Sequence, residues 1–203
     1  MSVYSYYTLY LFSYLIGSIP FGFLFVKWSG RGDIREIGSG NIGTTNVLRT
    51  GSKKLAAVTL LADTLKGAIP TLFAQYLDMG EAAVCGVATA AILGHVFPLW
   101  LAFKGGKGIA TALGCYLAIN PLVGLLCLLT WGIIAKLFRV SSLSALVAFF
   151  MAPLYMALYG MYFDVSLKKN VIFMMIIYML ILWTHRENIR KIIKGEESLI
   201  ERE

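Results

Sequence analysis

The chain has 203 residues, enough for one unit or two at about 150 residues per domain. Counted with Gly and without Tyr, apolar residues make up roughly 63% of it and charged residues only 14%, against about 45–50% and about a quarter in soluble domains. A chain of this size has too much surface for its volume to hide that much apolar area from water. That excludes a soluble globular domain, a disordered chain and a nucleic-acid-binding tail, and leaves a polytopic membrane protein coated by lipid. The 18 Lys and Arg outnumber the 11 Asp and Glu by seven. In such a chain the excess reports first on topology, because basic residues collect in cytoplasmic loops.

In chain order, Met1–Val26 carries no charge. It lacks the basic start of a signal peptide and is too long for its apolar segment, so it is expected to be a retained first helix. A polar, glycine-rich stretch, Gly30–Lys54, follows. Leu55–Leu77 is long enough to span a bilayer, with Asp63 and Lys66 inside it, and Ala82–Phe103 is free of charge. Gly108–Ala135 holds 28 uncharged residues with Asn120-Pro121 near its middle, and Asn-Pro favours a turn. Two crossings are then implied, the first of them, Ile109–Ala118, rising only about 15 Å. Val140–Phe163 spans again. Val171–Thr184 is shorter and is expected to continue as an amphipathic helix through His185 toward Lys194.

Counting Lys and Arg decides between the topologies. With a turn at Asn120-Pro121 the loops hold 15 basic residues on one side and two, Lys168 and Lys169, on the other; without it the split is 10 to 7. The positive-inside rule selects the first. The expected fold is therefore all-α, a polytopic integral membrane protein of about seven transmembrane helices, N-terminus outside and C-terminus cytoplasmic. It is expected to form one transmembrane domain, 1–203, with the loops 30–54, 104–108, 139–144 and 185–203 on the cytoplasmic face. Cys85, Cys115 and Cys127 all lie in apolar stretches without metal-ligand spacing, and are expected to be small core residues.

The chemistry-bearing residues concentrate in those cytoplasmic segments. In the first, Gly38, Gly40 and Gly43 alternate with Ser39, Asn41, Thr44, Thr45 and Asn46, and Arg49 closes the run. Glycines let backbone N–H groups approach an anion and form a nest for it. The small polar side chains add donors, and a guanidinium grips phosphate with a fork. A flexible linker is the plain alternative. In the second, Lys104 and Lys107 are interleaved with Gly105, Gly106 and Gly108 just before a helix start at Ile109, where free N–H groups favour an anion. A tight turn with two snorkelling lysines is the alternative. Ser141-Ser142 opens a helix, where serine most often serves as an N-cap. His185 and Asn188 share a helix face, His185 being either catalytic or merely interfacial. Glu197, after Gly195, is suited to pairing with loop cations.

Asp63 and Lys66, three apart, partly neutralise each other as an internal ion pair, with transport as the other reading. His95, close to Pro98, reads as a packed histidine at a helix bend. Several things are missing. No nucleophile elbow G-x-S-x-G, no Cys–His nucleophile arrangement and no His/Asp/Glu metal cluster occurs in the sequence. Neither histidine has Asp five residues on, the dyad of soluble-type glycerolipid acyltransferases. An enzyme built this way works with positioned cations on an already activated substrate, without metal, cofactor or covalent intermediate. A small transporter of phosphorylated solutes is the reading from another class. Its support is limited to a short recurrence of Gly17-Ser-Ile-Pro20 at Gly67-Ala-Ile-Pro70.

Three stretches together resemble the bacterial glycerol-3-phosphate acyltransferases that use acyl phosphate as donor, the PlsY family. They are Gly38-Ser-Gly-Asn-Ile-Gly-Thr-Thr-Asn-Val-Leu-Arg49, Gly94-His-Val-Phe-Pro with Phe103-Lys-Gly-Gly-Lys-Gly108, and His185-Arg-Glu-Asn-Ile with Gly195-Glu-Glu197. Asp63-Thr-Leu-Lys-Gly67 also looks like the family's, and Lys191 stands where its pattern has Arg. The resemblance implies attack of the 1-hydroxyl of glycerol-3-phosphate on a long-chain acyl phosphate, giving lysophosphatidic acid and inorganic phosphate. It implies Ser39 and Arg49 as essential residues and the 104–108 loop as the glycerol-3-phosphate site. It implies His185 and Asn188 as active-site residues and Glu197 as a residue of structural integrity. On that basis Arg49 and Lys104 are assigned to phosphate binding and charge stabilisation, and Ser39 and Ser142 to hydrogen-bond donation. His185, or the phosphate of the substrate itself, is the base. The acyl chain would lie between helices, continuous with membrane lipid.

Overall fold

In the computed structural model, which describes residues 3–200, the chain divides into two compact units, Met1–Ile119 and Asn120–Glu203. Residues 1–2 and 201–203, including Arg202, one of the 15 basic residues assigned to one side, lie outside the described residues. The first unit contains α1 (Val3–Gly17), α2 (Phe21–Trp28), α3 (Thr44–Leu48), α4 (Lys53–Tyr76), α5 (Glu81–Val96) and α6 (Ile109–Ile119). The second contains α7 (Pro121–Phe138), α8 (Ser141–Tyr162), α9 (Lys168–Thr184) and α10 (Arg186–Lys194).

The uncharged start of the chain is two helices rather than the single one expected. Pro20 supplies no N–H and its ring cannot sit in a helix interior. The N–H groups of Ser18 and Ile19 turn back to Tyr14 and Ile16, and helix resumes at Phe21. The break leaves the Ile19 carbonyl to accept a hydrogen bond from Lys66 Nζ, at 2.8 Å.

Glycines let the backbones of the first unit touch. A Cβ on Gly17 would stand 2.1 Å from Ala91 O, and one on Gly94 2.3 Å from Tyr14 O, so α1 and α5 meet main chain to main chain. Gly67 and Gly114 do the same for α4 and α6, against Thr111 O at 2.2 Å and Thr64 O at 2.0 Å. Lipid is as apolar as leucine, so helices in a membrane gain by this close approach and by hydrogen bonds rather than by burying apolar side chains.

The Asn120-Pro121 turn forms where the sequence places it. Helix α6 ends at Ile119, Asn120 Oδ1 accepts from Val123 N at 3.1 Å, and Pro121 opens α7, where its missing N–H costs nothing. In the second unit α8 packs between α7 and α9. The helix expected to run unbroken through His185 is interrupted there: His185, at φ −98° and ψ 6°, ends α9 and precedes α10.

Among the described residues, five helical segments are long and apolar enough to cross a bilayer: Tyr4–Trp28, Lys53–Tyr76, Glu81–Leu101, Pro121–Phe138 and Ser141–Tyr162. Helices α6 and α9 are shorter, at 11 and 17 residues. The three cysteines are free and buried.

Candidate active site

The first glycine-rich stretch is a self-supporting loop. Its entrance is the turn Ile34–Glu36, capped by Asp33, whose carboxylate accepts from Arg35 N and Arg35 Nε at 2.9 Å. These hydrogen bonds from the Arg35 side chain and backbone hold the Asp33 carboxyl down at about 2, against an ordinary 3.8. A lowered carboxyl stabilises above its ordinary value and loses its effect as pH falls toward the lowered one, so the clamp is complete at neutral pH. Beyond it, Asn46 is the hub. Its Nδ2 donates to the carbonyls of Ile34, Ile37 and Asn41, and its Oδ1 accepts from Ser39 N. Asn41 Oδ1 accepts from Gly43 N at 2.8 Å, and Gly40 N donates to Ile37 O.

Several donors expected to face an anion are therefore spent on the loop itself. The Asn46 amide and the N–H groups of Ser39, Gly40 and Gly43 build it, with Asn41 contributing acceptors. What the loop presents is different. Ser39 is exposed, and the buried Thr44 hydroxyl has no hydrogen-bond partner among the described residues. Arg49 is exposed at the end of α3 and lies across Gly38, where a Cβ would stand 2.8 Å from Arg49 Cδ. Gly38 has φ +56°, a left-handed conformation that glycine adopts without cost. Thr45 lies exposed on α3.

The second loop is moulded on α5. Gly105 N and Gly106 N donate to the carbonyls of Val96 and His95, both at 3.1 Å, satisfying acceptors that the end of α5 leaves open. The glycines are needed for this fit, since a Cβ on Gly106 would stand 2.0 Å from His95 Nε2 and one on Gly105 2.2 Å from His95 O. These two N–H groups, expected to cradle phosphate, are committed to the fold. The loop presents Lys104, which is exposed and follows two left-handed residues, Ala102 (φ 50°) and Phe103 (φ 62°). Such backbone strain clusters at functional sites. Lys107 and Gly108 complete the turn into α6, Gly108 at φ +85°. Leu101, just before Lys104, packs on the cluster of Val26, Ile34, Ile42, Val47 and Ala56 that underlies the first loop. The two cation-bearing loops thus share one apolar base. Among the described residues neither Arg49 nor Lys104 pairs with a carboxylate.

The ion pair inside α4 is present. Lys66 Nζ lies 2.7 Å from Asp63 Oδ1, and His95 Nδ1 lies 3.7 Å from the same oxygen, with all three residues buried.

The remaining site residues lie in the second unit. Ser142 is not a helix cap, because α8 begins at Ser141 with Val140 in the capping position. Its hydroxyl donates instead to Glu197 Oε1 at 2.8 Å, and Asn188 Nδ2 donates to the same oxygen at 2.6 Å. Glu197 therefore gathers two neutral donors rather than the loop cations expected. His185 is 3% exposed, and its Nδ1 bonds Ile181 O at 2.9 Å. A bond to a carbonyl requires the proton on Nδ1, which puts the lone pair of the neutral ring on Nε2.

Sequence reasoning did not single out Arg139. Its Nε and Nη2 both donate to Ile200 O, at 3.2 and 2.8 Å, while Ile200 N donates back to Arg139 O. This clasp ties the tail that carries Glu197 to the α7–α8 turn, and a left-handed Arg139 (φ 59°) makes it. No composition signal marks such a conformation. Glu197→Ala is expected to free the tail, with loss of hydrogen-exchange protection over residues 195–200 and of about 1.5–3 kcal/mol of stability. Glu197→Gln, which keeps an acceptor, should lose less; equal losses in thermal unfolding would contradict the network.

The family model for glycerol-3-phosphate acyltransferase matches residues 7–195. The glycerol-3-phosphate acyltransferase of Sinorhizobium medicae is 48% identical over 191 residues, covering 94% of this chain and 90% of that one. That of Caulobacter vibrioides is 49% identical over 190 residues, covering 92% and 84%. A crystal structure of PlsY (YgiH), an integral membrane glycerol 3-phosphate acyltransferase, in its glycerol 3-phosphate form, matches with a TM-score of 0.90 at 37% identity, over 97% of this chain and 96% of that one. Its lysophosphatidic acid form matches at 0.88 and 36%, over 96% and 95%. With a family match over nearly its whole length, relatives near half identity and two PlsY structures of the same fold, this all-helical membrane chain belongs to the glycerol-3-phosphate acyltransferase family.

Proposed function

We propose that the protein transfers a fatty acyl group from a long-chain acyl phosphate to the 1-hydroxyl of sn-glycerol-3-phosphate, the first step of bacterial phospholipid synthesis. The observation that carries this reading is the pair of exposed cations without carboxylate partners, Arg49 and Lys104, on two rigid glycine loops of a chain in this family. Two phosphate-bearing substrates need two such cations. The hydroxyl oxygen attacks the acyl carbonyl, the bond from carbonyl carbon to phosphate oxygen breaks, and inorganic phosphate leaves. The donor is a mixed anhydride, so the leaving group needs no covalent relay.

Arg49 binds phosphate with its fork and stabilises charge on the departing group. Lys104, with Lys107 beside it, holds the glycerol-3-phosphate phosphate. Ser39 and Thr44 offer hydroxyl donors. Ser142 and Asn188, joined by Glu197, act as an ordered polar group rather than as independent donors. His185 accepts the proton of the attacking hydroxyl, a role for which the Nδ1–H tautomer supports Nε2. His185→Ala should then lower turnover at saturating substrates by about 10²–10⁴-fold. Turnover near wild type would move the proton to the substrate phosphate, whose second pKa is near 6.

The whole chain serves as one transmembrane domain of seven crossings, with α6 and α9 as the short ones. The N-terminus is outside and the C-terminus is cytoplasmic. The loops 30–54, 104–108, 139–144 and 185–203 face the cytoplasm of a bacterial inner membrane, and lipid borders the acyl chain. Purified protein given acyl phosphate and glycerol-3-phosphate should form lysophosphatidic acid and inorganic phosphate in equal amounts. Phosphate release without lysophosphatidic acid, or no release, would overturn the assignment.

A further inference from the structure

Charges buried within a membrane helix are expensive, and a buried ion pair is weak evidence for stability, because apolar residues of similar volume often do as well. The Asp63–Lys66 pair is connected in two directions. Lys66 Nζ also bonds Ile19 O at the α1–α2 break, 2.8 Å away and directly before Pro20 and the start of α2. Helix α2 in turn bears directly on the first loop: a Cβ on Gly22 would stand 2.0 Å from Ile42 O. In the other direction Asp63 Oδ1 faces His95 Nδ1 at 3.7 Å. The opposite edge of that ring rests on Gly106, and the His95 carbonyl holds Gly106 N. One path runs from the pair to the loop of Arg49, the other to the loop of Lys104.

We propose that Asp63, Lys66 and His95 are positioning residues for acyl transfer: the buried cluster fixes the separation of the two cation-bearing loops, and with it the alignment of hydroxyl and acyl carbonyl. The proposal rests on the function proposed above. The first loop is held by the hydrogen bonds of Asn46 and the second by backbone bonds to the end of α5, so each keeps its own phosphate affinity when the cluster is lost. What suffers is the relation between the loops, and misplacement by about 1 Å can cost about 10²-fold in rate.

The test is the double variant Asp63→Leu/Lys66→Met, which removes both charges at similar volume. Glycerol-3-phosphate binding is titrated calorimetrically to count competent sites, and turnover is expressed per competent site. A purely structural role lowers the number of sites and the Tm but leaves turnover per site untouched. The expected result is a fall of about tenfold or more in turnover per site, with the glycerol-3-phosphate Kd within about threefold of wild type. A smaller fall overturns the proposal. So does a variant with no binding-competent protein, since the cluster would then be needed for folding itself. Wild-type protein that makes no lysophosphatidic acid would instead overturn the proposed function.

Discussion

Arg49→Ala is expected to lower kcat/KM by about 10³-fold while leaving the Tm nearly unchanged. The two parts of this expectation have separate causes. Arg49 is exposed, closes a five-residue helix, and lies over Gly38 without a carboxylate partner among the described residues. The hydrogen bonds that hold its loop run through Asn46, so the loop persists without the guanidinium. Under the proposed function, removing it takes two charge-assisted donors from a phosphate whose charge changes as the acyl bond breaks. Arg49→Lys restores a point charge without the fork and should recover only part of the activity. Steady-state kinetics on the three proteins check this. An alanine variant within about tenfold of wild type would remove Arg49 from the chemistry.

Lys104→Ala should behave differently, raising KM for glycerol-3-phosphate by about 10- to 100-fold with a smaller effect on kcat. A charge-assisted hydrogen bond contributes about 1.5–3 kcal/mol, which corresponds to that range. Because Lys104 is exposed, its contribution is screened. In wild type the same KM should rise between low and physiological salt, and the alanine variant should lose part of that dependence. An unchanged KM would place the glycerol-3-phosphate phosphate elsewhere.

The sequence signals that proved readable were those that a few neighbouring residues settle by themselves. Asn120-Pro121 favours a turn followed by a helix start, and α6 and α7 are divided there. Asp63 and Lys66, three apart in an apolar run, are each other's nearest neutralisation, and they pair. The break at Ser18–Pro20 was less visible, because a stretch without charge carries no periodic signal and Pro20 alone did not outweigh it. Side-chain amides and glycines were the hardest. An asparagine in a glycine-rich run suits an anion or a backbone carbonyl equally, and only packing shows that Asn46 serves three carbonyls. Likewise Gly105 and Gly106 read as an open cradle, whereas they make room for His95. The partners of Ser142 and the clasp at Arg139 lie 55 and 61 residues along the chain, beyond any local pattern.

All three thiols are buried, with Cys85, Cys115 and Cys127 exposed by 8% or less. A thiol-reactive reagent that cannot cross lipid therefore finds no ready target in the folded protein. A cysteine added beside Lys168, or one added in the 30–54 loop, can be interrogated against this silent background in intact cells without first stripping the natural thiols. Labelling of the former but not the latter from outside would report sidedness directly.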